Sequence, residues 1–180
     1  NAKIKLAKKT TGNGEIFTIH DGNRKLSLVL NGANKKVEGI ISNNETKFDD
    51  DATQLQKMTT LDKISASVRY NDILENVDLE YVIKGANIKE NIIVKAKASN
   101  YSYSFTLSLN NLVASLNEKN EIIISDSSTS EIVYLIPAPI MWDANDVYSH
   151  DIAVSLTDNN NGKYTLTITA DSDWMNATDR

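Results

Sequence analysis

Apolar residues recur at every second position along most of this chain, the period of a strand with one buried face. Ile4 and Leu6 alternate with lysines. Phe17 and Ile19 alternate with Ile16, Thr18 and His20, and beyond Asp21-Gly22-Asn23 the alternation resumes at Leu26, Leu28 and Leu30. Gly accepts positive φ without a Cβ clash, so the two runs predict a hairpin around Asp21-Gly22. Val37–Ile41 is a fourth short strand, and Ser65–Tyr70 a fifth. Val77, Leu79, Tyr81 and Ile83 line one face of the next, which turns at Gly85-Ala86-Asn87 into Ile88–Lys95. Tyr101, Tyr103, Phe105, Leu107 and Leu109 form the cleanest alternation. Leu112–Leu116 and Glu121–Ser125 flank the turn Asn117-Glu118-Lys119-Asn120. Ile132–Ile136 ends at Pro137-Ala138-Pro139, because proline has no N–H to give a ladder. Ile152, Val154 and Leu156 pair across Asp158–Gly162 with Tyr164, Leu166 and Ile168. Asp171 or Ser172 is placed to cap a helical turn carrying Trp174 and Met175.

Many short strands with regular turn signals predict an all-β chain, a two-sheet antiparallel β-sandwich. The pattern breaks only over 42–62, which reads as a mobile loop with one helical turn across Gln54–Met58. The expected organisation is one module over 1–180. An N-terminal lobe over 1–42, a loop over 43–62 and a main body over 63–180 are its alternative division.

Charge and composition narrow the classes. The formal net charge is -5, which disfavours nucleic acid as the default partner. No window approaches the ~20 apolar residues of a membrane span. The chain starts at Asn1 without Met, which is compatible with a removed leader. Cysteine is absent, which excludes disulfides and thiolate metal sites. Cysteine-free, Lys-over-Arg chains rich in Asn, Ser and Thr suit the outside of Gram-positive bacteria, and the expected location is secreted, at the cell surface or cell wall.

The stretch Tyr70-Asn71-Asp72-Ile73-Leu74-Glu75-Asn76-Val77-Asp78-Leu79-Glu80-Tyr81 resembles the signature Y-x-D-[VI]-x-P-G-[VI]-D-L-x-Y. That signature belongs to an N-terminal β-rich module of secreted Gram-positive Rhs/YD-repeat wall-associated and DNRLRE-domain surface proteins. Ile88–Val94, Tyr103-Ser104-Phe105, Ile136–Pro139 with Met141, Trp142 and Asp143, and Tyr164–Ala170 followed by Trp174-Met175-Asn176-Ala177 are similar to further segments of it. The signature's Pro-Gly is Glu75-Asn76 here, and Asn tolerates positive φ well enough to keep the turn. The resemblance implies a part of a long surface polypeptide and brings no catalytic residues.

The candidate ligand-binding residues are Trp142, Asp143, Asn145 and Tyr148, in the irregular segment after Pro139. Exposed rings in sandwich loops stack on the apolar faces of sugars while polar neighbours take the hydroxyls. The plainer reading is that Trp142 and Trp174 close the ends of the sandwich. Asp49-Asp50-Asp51 and Asp143-Ala144-Asn145-Asp146 each offer oxygens to a hard cation, but each reads more simply as a solvated loop. His20 and His150 show no converging spacing. Asp78 and Glu80 share a strand face; Asp78 belongs to the signature, and the resemblance implies a turn or strand-end hydrogen-bonder there rather than an acid catalyst. Lys3, Lys5, Lys8 and Lys9 suit the guarded outer face of an edge strand, or contact with anionic wall polymers.

These readings predict a non-catalytic structural or scaffold module of a large secreted bacterial surface protein, and not an enzyme. A carbohydrate-binding or adhesion module is the alternative and a glycoside-active enzyme the remote one. No catalytic residues, cofactor or metal are expected. The expected partners are neighbouring domains of the same polypeptide and a surface glycan.

Overall fold

A computed structural model describes residues 2–43, 65–85 and 87–177. Among them the structure is nearly all antiparallel β, as the alternation predicts. The strands are β1 (Lys3–Leu6), β2 (Phe17–Asp21), β3 (Arg24–Leu30), β4 (Gly39–Asn43), β5 (Ser65–Leu74), β6 (Val77–Lys84), β7 (Asn87–Val94) and β8 (Ser102–Asn110). They continue as β9 (Leu112–Leu116), β10 (Ile122–Asp126), β11 (Ile132–Ile136), β12 (Met141–Trp142), β13 (Tyr148–Ser149), β14 (Ile152–Asp158) and β15 (Lys163–Ala170). One short helix, α1 (Ser172–Asn176), follows. Of the expected loop near 42–62, Ser42 and Asn43 close β4, and the rest, with Asp49-Asp50-Asp51 and the turn at 54–58, lies outside the described residues.

The chain divides into two compact units, one of Asn1–Ala7, Gly12–Ala33 and Lys97–Arg180, the other of Lys8–Thr11 and Asn34–Ala96. In the first unit six strands form a sheet in the order β1-β2-β3-β8-β15-β14. Register puts its apolar positions on one face. Phe17, Leu28, Leu107 and Tyr164 stand in one cross-strand row, and Leu30, Phe105, Leu166 and Leu156 in another. All but Leu156 are buried. The three-stranded sheet β11-β10-β9 makes the second layer, with β9 lying against β3, β8 and β14 and burying Leu112, Ile122 and Ile124.

Turn chemistry sets the register. The β14–β15 hairpin turns through Asn160, Asn161 and Gly162, all at positive φ. Gly162 is required there twice over. Its φ is +70°, and a Cβ at this position would lie 2.3 Å from the carbonyl oxygen of Leu109. Asp126 organises the β10–β11 turn by accepting from the backbone of Ser128 and Thr129 and from the Ser128 hydroxyl, while its other oxygen accepts from Arg24 Nε at 2.8 Å. The Ser128 contacts, the Thr129 N–H and Arg24 together hold its carboxyl far below the usual range. Asp171 caps α1 by accepting from the Trp174 N–H at 2.7 Å, in line with the capping expected there.

The second unit is a four-stranded meander, β4-β5-β6-β7. Tyr70, Ile73, Val77, Leu79 and Tyr81 are its buried core. Thr10 ties the 8–11 segment in, donating from its hydroxyl to Asn34 O and accepting there from the Val37 N–H.

Candidate functional site

Three constellations carry the polar and aromatic chemistry of the described residues. The first lies in the stretch that bears the signature. Its apolar positions are the core residues just named, and its Asp78 is an ion-pair hub. One Asp78 oxygen accepts from Arg69 Nη2 at 2.7 Å and Nε at 3.2 Å. The other takes the Asp72 N–H at 2.7 Å and lies 2.8 Å from Lys95 Nζ. Lys95 also pairs with Asp72. Burial pushes the Asp78 carboxyl up, but Lys95, the Asp72 N–H and Arg69 outweigh it and hold the pKa at about 2. A carboxylate so firmly ionised and fully engaged braces the β5–β6 connection and is unsuited to proton transfer. The turn survives without Gly, because Asn76 takes φ 55° and Asp72 takes φ 50°.

The second constellation has no counterpart among the sequence expectations. Glu90 on β7 stands directly across from Tyr81 on β6, which faces Val68 on β5. The Tyr81 ring and the Glu90 carboxyl are thus cross-strand neighbours, and burial raises the pKa of Glu90 to about 6. Burial first, and then the Glu90 charge, push Tyr81 well above its ordinary value. The signal is present in the pattern: Ile88, Glu90 and Ile92 alternate, so a carboxyl falls on an apolar face.

The third is the predicted ligand site. The segment after Pro139 is not irregular throughout, since β12 and β13 form a two-stranded ribbon in which Trp142 is paired with Tyr148 and Met141 with Ser149. Directly opposed residues share a face, so the two rings project together while buried Met141 anchors the other side. Trp142 is 46% exposed and Tyr148 66%, so Trp142 does not plug the sandwich. The His150 ring meets Tyr148 edge-on at 5.8 Å. Asp143 Oδ1 accepts from the Asn145 and Val147 N–H groups, which shapes the loop. Asn145 is exposed beside it. Among the described residues no group of three or more His, Cys, Asp or Glu is gathered to hold a metal ion. No helix among them is long and apolar enough to cross a membrane.

The class so defined is an all-β, sandwich-like antiparallel protein with an exposed aromatic ribbon. The particular likeness lies with two curated proteins. The chain is 27% identical over 122 residues to the tRNA nuclease WapA of Bacillus subtilis strain 168, covering 64% of this chain and 5% of that one. The same identity and coverage hold for the tRNA(Glu)-specific nuclease WapA of Bacillus subtilis subsp. natto strain BEST195. The chain thus spans a twentieth of the length of the relatives it matches. No family model and no solved structure matches. Both relatives are named as nucleases, which corrects two expectations: a non-catalytic scaffold module, with its adhesion and glycoside-active alternatives, and a protein that is not an enzyme. Those readings rested on the resemblance, which brings no catalytic residues, and on composition and the absence of a local catalytic motif. Neither reports on the polypeptide to which a segment belongs.

Proposed function

We propose that this chain is part of a nuclease polypeptide that acts on tRNA, and that its exposed rings contribute to holding the RNA. The observation that carries this reading is the 27% identity to two tRNA nucleases over 122 residues. The ribbon supports it from the side of geometry. Trp142 and Tyr148 present two rings on one face, and sequence-tolerant stacking of unpaired bases on aromatic rings is a common mode of RNA contact. In this reading Asp143 fixes the loop that carries the rings, and Asn145 is a polar neighbour of them. The polypeptide is secreted and wall-associated, a placement supported by the signature around Asp78 and by the cysteine-free composition.

The test is cleavage of purified total tRNA by the longest polypeptide carrying this chain, with Mg²⁺ and with EDTA, resolved on a denaturing gel. Discrete tRNA fragments that appear with time are expected. Intact tRNA under both conditions, from a folded sample, overturns the proposal.

A further inference from the structure

We propose that the outer face of the six-stranded sheet is a docking surface for the RNA phosphate backbone. The inference rests on the tRNA reading and gives it a surface. Register assembles the face from residues scattered along the sequence. Lys5, Thr18, Ser27, Ser108 and Lys163 form one row across five strands, beginning and ending in lysine. The parallel row beside it is Lys3, His20, Lys25 and Asn110. On the other side stand Val29, Thr106, Thr165 and Thr157, then Ser104, Thr167 and Ser155, then Ser102, Thr169 and Ala153.

The composition of this face departs from that of the chain. The chain has 24 Asp and Glu against 19 Lys and Arg, yet no strand position on the face is acidic. The carboxylate of Glu15 lies on it, over Thr18 and Ser27, and is paired with Lys25, whose Nζ lies 2.6 Å away and, with the Ser27 and Thr18 hydroxyls, keeps it ionised against the effect of burial. Lys3, Lys5, His20 and Lys163 are exposed, while Thr18 and Ser27 are buried between them. Lysine supplies charge to phosphate oxygens and Ser and Thr supply neutral donors; Thr18 and Ser27 are buried and turned to Glu15, so the hydroxyls open to a phosphate are those of Ser102, Ser155, Thr157 and Thr167. Opposite edges of the lysine row stand about 19 Å apart at ordinary strand spacing. Net charge therefore misleads here: the acids lie elsewhere, as in the stretch from Asn120 to Gly162, which holds Asp143, Asp146 and Asp151 and has no Lys or Arg.

The experiment is fluorescence anisotropy of labelled tRNA with the intact chain in EDTA across a NaCl series. Binding is expected to weaken with salt, and a Lys3→Gln, Lys5→Gln, Lys163→Gln variant should flatten the log–log salt slope by about 3, roughly one for each phosphate no longer neutralised. Thr167→Glu, which places a carboxylate mid-face, should weaken binding at least fivefold. Lys119→Gln, in the β9–β10 turn, should leave it unchanged. Unchanged binding in the triple variant and in Thr167→Glu, both folded by circular dichroism, overturns the inference even where the polypeptide cleaves tRNA. Polyphosphate that displaces tRNA at equal phosphate concentration also overturns it, by showing a general polyanion surface. If binding is lost in both variants while no polypeptide cleaves tRNA, the docking surface stands and the nuclease reading falls.

Discussion

Asp78 and Lys95 face each other at 2.8 Å across the same end of β6 and β7, with Arg69 on the far side of the carboxylate. The pair closes the connection between β5 and β6 electrostatically, where a Pro-Gly turn would have closed it by backbone geometry. Removing the carboxylate leaves two cations facing each other and the Asp72 N–H without its acceptor. Asp78→Ala is expected to destabilise the second unit by about 2 kcal/mol. Breaking a fully buried pair costs roughly 3–5 kcal/mol, and partial exposure of Arg69 and Lys95 screens part of that. Amide hydrogen exchange over β5–β7 measures it.

The same group sets an acid limit. Its folded pKa is about 2, below the ordinary 3.8, so its contribution is fully present above 3.8 and is lost as pH falls through 2. Exchange protection of β5–β7 should therefore drop steeply between pH 4 and 2 in the parent chain, and more shallowly in Asp78→Asn.

Glu90 works in the opposite direction. Its folded pKa is raised from 4.5 to about 6, so the buried acid carries no penalty below 4.5, and one accumulates as pH rises through 6. Glu90→Gln keeps the size and shape of the side chain and removes the charge. The substitution is expected to stabilise the second unit at pH 7.5 by on the order of 1–2 kcal/mol and to leave it unchanged at pH 4. Both tryptophans, Trp142 and Trp174, belong to the first unit, so tyrosine or backbone probes are needed.

Much of this was legible in the residues. Strict alternation placed the strands of both units to within a few positions, and the positive-φ tolerance of Asn76 preserved a turn that lacks glycine. Asp78 was readable as a hydrogen-bonder through the signature to which it belongs, and its contacts agree. The β12–β13 ribbon was not, since two residues per strand offer no period to detect, and the nearby prolines argue against pairing. The hydroxyl run Ser102, Ser104, Thr106 and Ser108 was visible in one strand. Its lysine borders come from β1 and β15, and only register brings them to the same face. That is why net charge argued against a nucleic-acid partner while the charge distribution supports one.

The two hairpin glycines separate steric from conformational need. Gly22 has φ +61° with open space around its absent Cβ, whereas Gly162 has φ +70° and the Leu109 carbonyl in the way. Gly22→Ala is expected to cost about 1–2 kcal/mol, the penalty for an L-residue in the left-handed region. Gly162→Ala must in addition push β8 away from the hairpin, breaking the 2.7 Å hydrogen bond from the Leu109 N–H to Gly162 O. Its loss should exceed that of Gly22→Ala by at least about 1 kcal/mol, the net worth of one hydrogen bond, in urea unfolding followed by tryptophan fluorescence. Equal losses would mean that the backbone relaxes freely at this position.

The aromatic ribbon gives the last separation, between stacking and charge. Trp142 is 46% exposed, so Trp142→Ala should cost on the order of 1–2 kcal/mol of stability, less than a core aromatic truncation. Stacking of one base on an aromatic ring is worth about 1–3 kcal/mol, so the same variant should bind an unstructured oligouridine roughly fivefold or more weakly. Charge contacts fade with salt and stacking does not, so this deficit should persist at high NaCl, where the lysine variants come to equal the parent. The ratio of parent to variant affinity, measured by anisotropy at low and high salt, reads this directly. A ratio near one at both concentrations would remove Trp142 from the RNA-contacting surface.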